Sequence, residues 1–245
     1  MSTLSICTIF QDEADSEGTP IKWYLETCAY LAEHIPGLKE VVLVDGGSKD
    51  RSREVIESYR HRMPLVLLDR EYDNTRNQQN FGLEHVTGDF IFGLDADMSV
   101  TKNFVDAFKS GIFESASYWD FPMMFLLERG GKIFLPSWPR GVNMRLWKRG
   151  PKWKQERQFH VQLEGQTQGI PVCGGVIIFE NSCRIKDDEA LMHRGERRQK
   201  YIEGMHAEGA SPGPPDRFYG AAHMPDSGLT LLPQSVLDIM IPGTI

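Results

Sequence analysis

Along the first hundred residues, apolar and polar positions fall into short runs whose period switches between that of a strand and that of a helix. Leu4–Phe10 is a short β-rich apolar run closed by a polar turn. Ile21–Ile35 has helical spacing, with Trp23, Leu25, Cys28, Leu31 and Ala32 roughly on one face, and Pro36-Gly37 stops it. Glu40–Val44 (EVVLV) suits a strand buried on both faces, and Asp45-Gly46-Gly47-Ser48 breaks it. Ser52–Met63 reads as the next helix, Pro64–Leu68 as a strand, and Arg76–His85 as a helix. Asp89–Leu94 (DFIFGL) reads as a fourth strand, ending at Asp95-Ala96-Asp97.

Strand and helix alternating at this spacing imply right-handed βαβ units and a parallel sheet. Ligands of such sheets bind beyond the carboxyl ends of the strands. The tips of the first, second and fourth strands are therefore expected at one crevice. They carry Gln11-Asp12-Glu13, Asp45 and Asp95/Asp97.

The second half is less regular. Asp120–Leu127 is apolar, Gly130-Gly131 resembles a hairpin turn before Lys132–Leu135, and Gly141–Lys148 and Gly174–Phe179 read as strands. Asp188–Glu203 reads as a basic helix, and the tail from Ser211 is rich in proline and glycine before an apolar stretch at Leu229–Ile241. With no internal repeat and no clear linker, residues 1–245 are expected to form a single domain. Its parts are a nucleotide-binding half (1–100), an acceptor and metal half (101–210) and a tail (211–245).

Composition narrows the class. The 245 residues are 40% hydrophobic and 25% charged, ordinary for a globular protein, and the net charge of -7 argues against a general nucleic-acid binder. The four cysteines lack a CxxC pair and are read as free thiols in a reducing compartment. The N-terminal MSTLSICTIFQDEAD is unlike a signal peptide, and no apolar run reaches the ~18 residues needed to span a bilayer. The expected location is the cytoplasm, with peripheral membrane contact left open.

Asp95-Ala96-Asp97 is the strongest chemical signal. Two carboxylates at i and i+2 at a strand end can hold Mg²⁺ or Mn²⁺ together with phosphate oxygens. They equally suit a solvated turn, but the context of FIFGL and the preceding Asn80-Phe81-Gly82 favours the metal.

The stretches SICTIFQDEAD, EVVLVDGGSKDRS and RNQQNFGLEHVTGDFIFGLDADM resemble, in order and spacing, the family 2 glycosyltransferases of the GT-A fold. A looser match runs through LPSWPRGVNMRLWKRGPKW to QFH, residues 134–160. The resemblance implies an α/β GT-A fold with a mostly parallel Rossmann-like sheet and an irregular C-terminal acceptor-side portion. It also implies an inverting sugar transfer from a nucleotide-diphosphate donor, UDP-sugar favoured. The acceptor would be a glycan, a lipid-linked group or another hydroxyl.

By the same resemblance Asp45 accepts from the nucleotide base, and Glu13 lies near the ribose or base. Phe10, Gly47 and Ala96 complete the donor-binding positions. The turn after Asp45 is also a strand-to-helix turn in which Ser48 and Asp50 cap the next helix. The family's arginine before Asn80 is Gln79 here, so Arg76 or Gln79 takes over its contact with the diphosphate, unless Arg76 is merely a surface arginine. His193 is the implied third metal ligand after Asp95 and Asp97, with Arg194 and Arg198 beside the leaving diphosphate; the segment also reads as a solvated basic helix face. Val161 stands where the family places its acid, leaving Glu164, His160 and Glu156 as candidates for the catalytic base. Trp138, Trp147, Trp153 and Tyr118 are candidates for a sugar-stacking wall or for the core. Two other readings compete: a nucleotidyltransferase, and an inactive nucleotide-sugar-binding module.

Overall fold

The computed structural model describes residues 2–14, 20–136, 141–157, 160–165, 169–181, 184 and 229–244; at 20, 136, 141–144, 155–157 and 160–162 the description is of the backbone. The chain begins β1 (Leu4–Phe10), α1 (Pro20–His34), β2 (Leu38–Asp45), α2 (Ser52–Ser58), β3 (Leu65–Asp69), α3 (Thr75–Leu83) and β4 (Phe90–Gly93). There follow β5 (Met98–Val100), α4 (Asn103–Lys109), a 3₁₀ turn (Ile112–Ser115), β6 (Tyr118–Phe125), β7 (Leu127–Arg129) and β8 (Lys132–Pro136). Then come β9 (Gly141–Lys148), β10 (Trp153–Arg157), β11 (His160–Leu163), β12 (Ile178–Glu180), β13 (Leu229–Leu231) and α5 (Gln234–Leu237).

Eight strands form one sheet in the order β3-β2-β1-β4-β9-β6-β12-β5. The first four are parallel neighbours; β9 runs against β4 and β6, and β5 against β12. The carboxyl ends of β1 to β4 therefore share one edge, as the alternation of the sequence predicts. Phe10 pairs with Asp45, Asp45 with Asp69, and Cys7 with Gly93, so β1 reaches beyond its neighbour β4.

Val41 to Val44 are wholly buried, the consequence of helices covering both faces of β2. On one side Phe92 stacks on Phe104 at 4.4 Å between ring centres, with Phe113 and Phe121 around them. Each such buried side chain contributes roughly 1.5–3 kcal/mol. On the other side α3 lies close to the sheet because Gly82 has no side chain. A Cβ there would stand 2.7 Å from Cys7 Sγ and 3.0 Å from Val44 Cγ2. That contact gives the Asn80-Phe81-Gly82 motif a packing role.

Several boundaries differ from the sequence pattern. Helix α2 stops at Ser58, where the amides of Tyr59, Arg60 and Arg62 turn to i−3 carbonyls, and Pro64 disfavours helix at Met63. Gly174–Phe179 is a strand only from Ile178: the amide of Cys173 donates to Asp120, and a turn through Gly174 and Gly175 closes from Val176 back to Cys173. Strand β5 is too short to show a period. The 229–244 segment packs onto the body: β13 pairs with β8, Met240 bridges Thr101, and buried Arg184 donates to the Thr244 carbonyl.

Candidate functional site

The edge is built first from backbone. After β1 the chain turns through Asp12 in the left-handed region (φ 51), a conformation aspartate tolerates. The loop is then clamped by the one after β2. The amides of Asp12, Glu13 and Ala14 donate to Ser48 Oγ (2.9 Å), Ser52 Oγ (2.7 Å) and Asp50 Oδ2 (2.7 Å). In return Lys49 N–H donates to Asp12 Oδ1 at 2.7 Å. Asp50 Oδ1 also accepts from Ser52 N–H, as expected of a helix-start carboxylate, whereas the hydroxyl of Ser48 serves the neighbouring loop instead of α2. Phe10 is a core residue at 5% exposure, and its carbonyl accepts from Gly46 N–H, so it offers a ligand no side chain.

Asp45 ends β2 with a buried side chain. Its Oδ1 accepts from the amides of Gly47 (3.0 Å) and Ser48 (2.8 Å), and its Oδ2 from Arg53 Nη1 (2.9 Å). Burial alone would raise its pKa; the hydrogen bonds from Ser48, Arg53 and Gly47 outweigh it and hold the carboxyl below its ordinary value. Gly47 makes this geometry possible at φ 96. An open cleft of about 490 Å³ lies beside it, lined among others by Gln11, Lys49, Asp69 and Tyr72.

Asp95 and Asp97 share a β-turn closed by Met98 N–H to the Asp95 carbonyl at 2.9 Å. Asp95 is 52% exposed and accepts from Arg145 Nη2 at 2.9 Å, while Ala96 lies in the core. The Asp97 carbonyl is held by both the amide (2.8 Å) and the side chain (3.1 Å) of buried Asn181. Thr8 of β1 donates to the Leu94 carbonyl at 2.8 Å, fixing where β4 ends. Among the described residues no group of three or more His, Cys, Asp or Glu gathers to hold a metal. His193, Arg194 and Arg198 lie outside the described residues, as does Trp138.

The remaining expected residues are dispersed. Asn80 sits on α3 with its amide committed to the main chain of Trp153, accepting from its N–H (2.8 Å) and donating to its carbonyl (2.9 Å). Arg76, in the first turn of α3, donates to Asn77 Oδ1 at 3.1 Å. Glu164 follows β11, its amide donating to the Lys152 carbonyl (2.9 Å) and its carboxylate reaching Lys154 (3.5 Å) and the Lys152 amide (3.3 Å). Glu156 is the unpaired residue of a bulge in β10, next to the Arg157–His160 pair. Trp147 is buried and meets Trp153 edge to face at 5.7 Å; the Tyr118 hydroxyl donates to the Glu164 carbonyl.

Four residues at this edge escape the sequence pattern. Arg53 looks like an ordinary helix cation, Asp69 like a strand end, and Arg145 like an outward position in GVNMRLWK. Tyr72, 43% exposed on the cleft wall, is the one whose aromatic character in a polar loop could have marked it.

This arrangement is that of the GT-A glycosyltransferase fold. Residues 22–109 match the family described as Glycosyl transferase family 2, in agreement with the motifs of the first hundred residues. A 99-residue stretch, 39% of this chain, is 31% identical to the undecaprenyl-phosphate 4-deoxy-4-formamido-L-arabinose transferase of Edwardsiella ictaluri; it spans 29% of that relative's length. TarS 1–349 of S. aureus aligns over 90% of this chain and 70% of its own at 15% identity, with a TM-score of 0.52. The mannosyltransferase PcManGT of Pyrobaculum calidifontis, solved with GDP-Man and Mn²⁺, aligns over 91% and 69% at 15% identity and a TM-score of 0.52. No helix among the described residues is long and apolar enough to cross a membrane.

Proposed function

We propose that this chain is a glycosyltransferase that takes a sugar from a nucleotide-diphosphate donor, with a UDP-sugar favoured, and passes it with inversion to a hydroxyl acceptor. The observation that carries this reading is the shared edge: Asp45, beside an open cleft, ends β2, and the Asp95–Asp97 turn follows β4, the strands on either side of β1. The cleft would take the nucleoside, with Asp45 accepting from the base alongside Arg53. Glu13 and Gly47 lie in the clamped loops that border it.

Asp95 and Asp97 fit a hard divalent cation. They are oxygen donors on one turn, Asp95 is accessible, and Mg²⁺ or Mn²⁺ is commonly held by one or two carboxylates plus substrate phosphates. Such an ion supplies charge against the departing diphosphate. In that reading Asp97 is positioned through its carbonyl by Asn181, and Arg145 balances Asp95. His193, Arg194 and Arg198 remain proposed partners of the metal and diphosphate. The acceptor proton passes to Glu164, His160 or Glu156 as the new bond forms. The acceptor itself is a glycan, a lipid-linked group or another hydroxyl, reached in the cytoplasm.

The test is incubation with a panel of nucleotide-sugars and Mn²⁺ or Mg²⁺, following donor hydrolysis and protection against melting. Slow hydrolysis that stops with a chelator supports the proposal. Protection without any turnover would favour a binding module, and pyrophosphate release from a nucleoside triphosphate with a sugar phosphate would favour a nucleotidyltransferase.

A further inference from the structure

Asp95 lines, with Gln79 and Leu83 of α3, a cavity of about 40 Å³ that shares no lining residue with the cleft beside Asp45. Its walls include Ile9 and Leu83, with Trp153 and Trp147 on the β9–β10 side. Three of its lining residues carry buried polar atoms with no hydrogen-bond partner among the described residues: Gln79 Oε1, Arg145 Nε and Trp147 Nε1. Trp147 is 2% exposed and the Arg145 side chain 15%. Buried polar groups are nearly always paired, so three orphans around one small space mark a place shaped for something that pairs them.

The kind of group follows from the inventory. Arg145 Nε and Trp147 Nε1 each donate one proton, and Gln79 Oε1 accepts. A hydroxyl accepts two hydrogen bonds and donates one, which matches the set. An anion would meet Gln79 Oε1 and the carboxylate of Asp95, which already pairs with the charge on Arg145. A cation would meet two N–H donors. The volume admits a group of about the size of a water, a hydroxyl or a hydroxymethyl, not a whole ring.

We propose that this cavity receives one hydroxyl of the donor sugar, and that Gln79, Arg145 and Trp147 are specificity-determining residues for the transferred sugar. The inference rests on the glycosyltransferase reading, and it adds to it a subsite for a sugar hydroxyl next to the proposed metal ligand Asp95. The edge-to-face pair of Trp147 and Trp153 gives the sugar an apolar flank next to the polar notch.

The test is calorimetry on the wild type and on Gln79→Leu and Trp147→Phe, each removing one partner while keeping most of the volume. UDP and GDP are titrated with Mn²⁺, against UDP-glucose, UDP-N-acetylglucosamine and GDP-mannose. The expected result is a loss of affinity for the recognised nucleotide-sugar about tenfold greater than any loss for its free nucleotide, the size of one lost neutral hydrogen bond. Equal losses for sugar and free nucleotide, or no loss in either variant, would overturn the inference and leave the transferase reading standing. If Trp147→Phe does not fold, Gln79→Leu decides alone, since α3 exposes that position in part. A wild type that binds none of the panel sinks the underlying reading and this inference with it.

Discussion

Arg53 Nη1 donates to the buried Oδ2 of Asp45 at 2.9 Å, from a helix that begins seven residues after the strand bearing the carboxylate. The same guanidinium forks onto Asp69 of the next strand. Two strand tips and a helix are thereby tied at the wall of the cleft. The carboxylate expected to read a nucleobase is thus also part of the scaffold.

Asp45→Asn keeps the shape and removes the charge. We expect it to lower stability by about 1–3 kcal/mol, the range for a buried hydrogen bond to a charged group. A melting curve checks this. Donor binding measured on the same variant should also weaken, because the cleft wall and the acceptor change together.

The pH dependence of stability follows from the same carboxylate. Asp45 is held below its ordinary value, as is Glu26, where hydrogen bonds from Arg62 outweigh burial. A folded-state pKa below the unfolded one stabilises the protein above the unfolded value and is lost as pH falls through the folded value. Melting temperature should therefore be nearly flat down to about pH 5 and fall below about pH 4, near the ordinary aspartate value. Asp45→Asn should flatten part of that fall.

Asn181→Ala removes the side chain that holds the Asp97 carbonyl and Ser99 Oγ, both at 3.1 Å. It also strips Arg184 of a partner. The expected outcome is a loss of about 1–3 kcal/mol in stability. A larger effect on metal-dependent turnover than on nucleotide affinity should accompany it, read by comparing kcat with Kd for the free nucleotide.

Gly88 sits where the chain turns into β4, and a Cβ there would stand 2.6 Å from the Leu4 carbonyl carbon and from Ser5 Oγ. Ser5 also donates to buried Glu40, which accepts from the amide and hydroxyl of Thr87. Gly88→Ala should cost about 1–3 kcal/mol, as overpacking does. Urea denaturation will show a lower midpoint with an unchanged slope.

The sheet was legible because β1, β2 and β4 are short apolar runs ended by glycines and carboxylates, and the register then carries Asp45 and Asp95 to one edge. The positions of Asp45 and of the Asp95–Asp97 turn needed nothing more than that periodicity. What the pattern hides is long-range pairing. Nothing local in GVNMRLWK says that Arg145 reaches Asp95 fifty positions earlier, or that Asn80 will bond the backbone of Trp153. The double use of VDGGSKD was visible only in part: Asp50 at the start of α2 follows from local chemistry, while Ser48 serving the loop after β1 depends on two loops meeting. Glu164 stands one residue past β11 with its amide donating to the Lys152 carbonyl, a pairing that no local pattern announces.

Asp97→Ala tests the proposed cation site. Turnover should fall by roughly a hundredfold or more, about 3 kcal/mol, the scale of one preorganised electrostatic contact. Circular dichroism on the same variant checks that the chain is folded, so that the loss is read as lost turnover.

The most direct measurement is a crystal structure of the wild type soaked with a nucleotide-sugar and Mn²⁺. The ion is expected between the Asp95 and Asp97 carboxylates and the diphosphate, with the base in the cleft against Asp45. A donor bound elsewhere, or an ion that leaves both aspartates untouched, would contradict it.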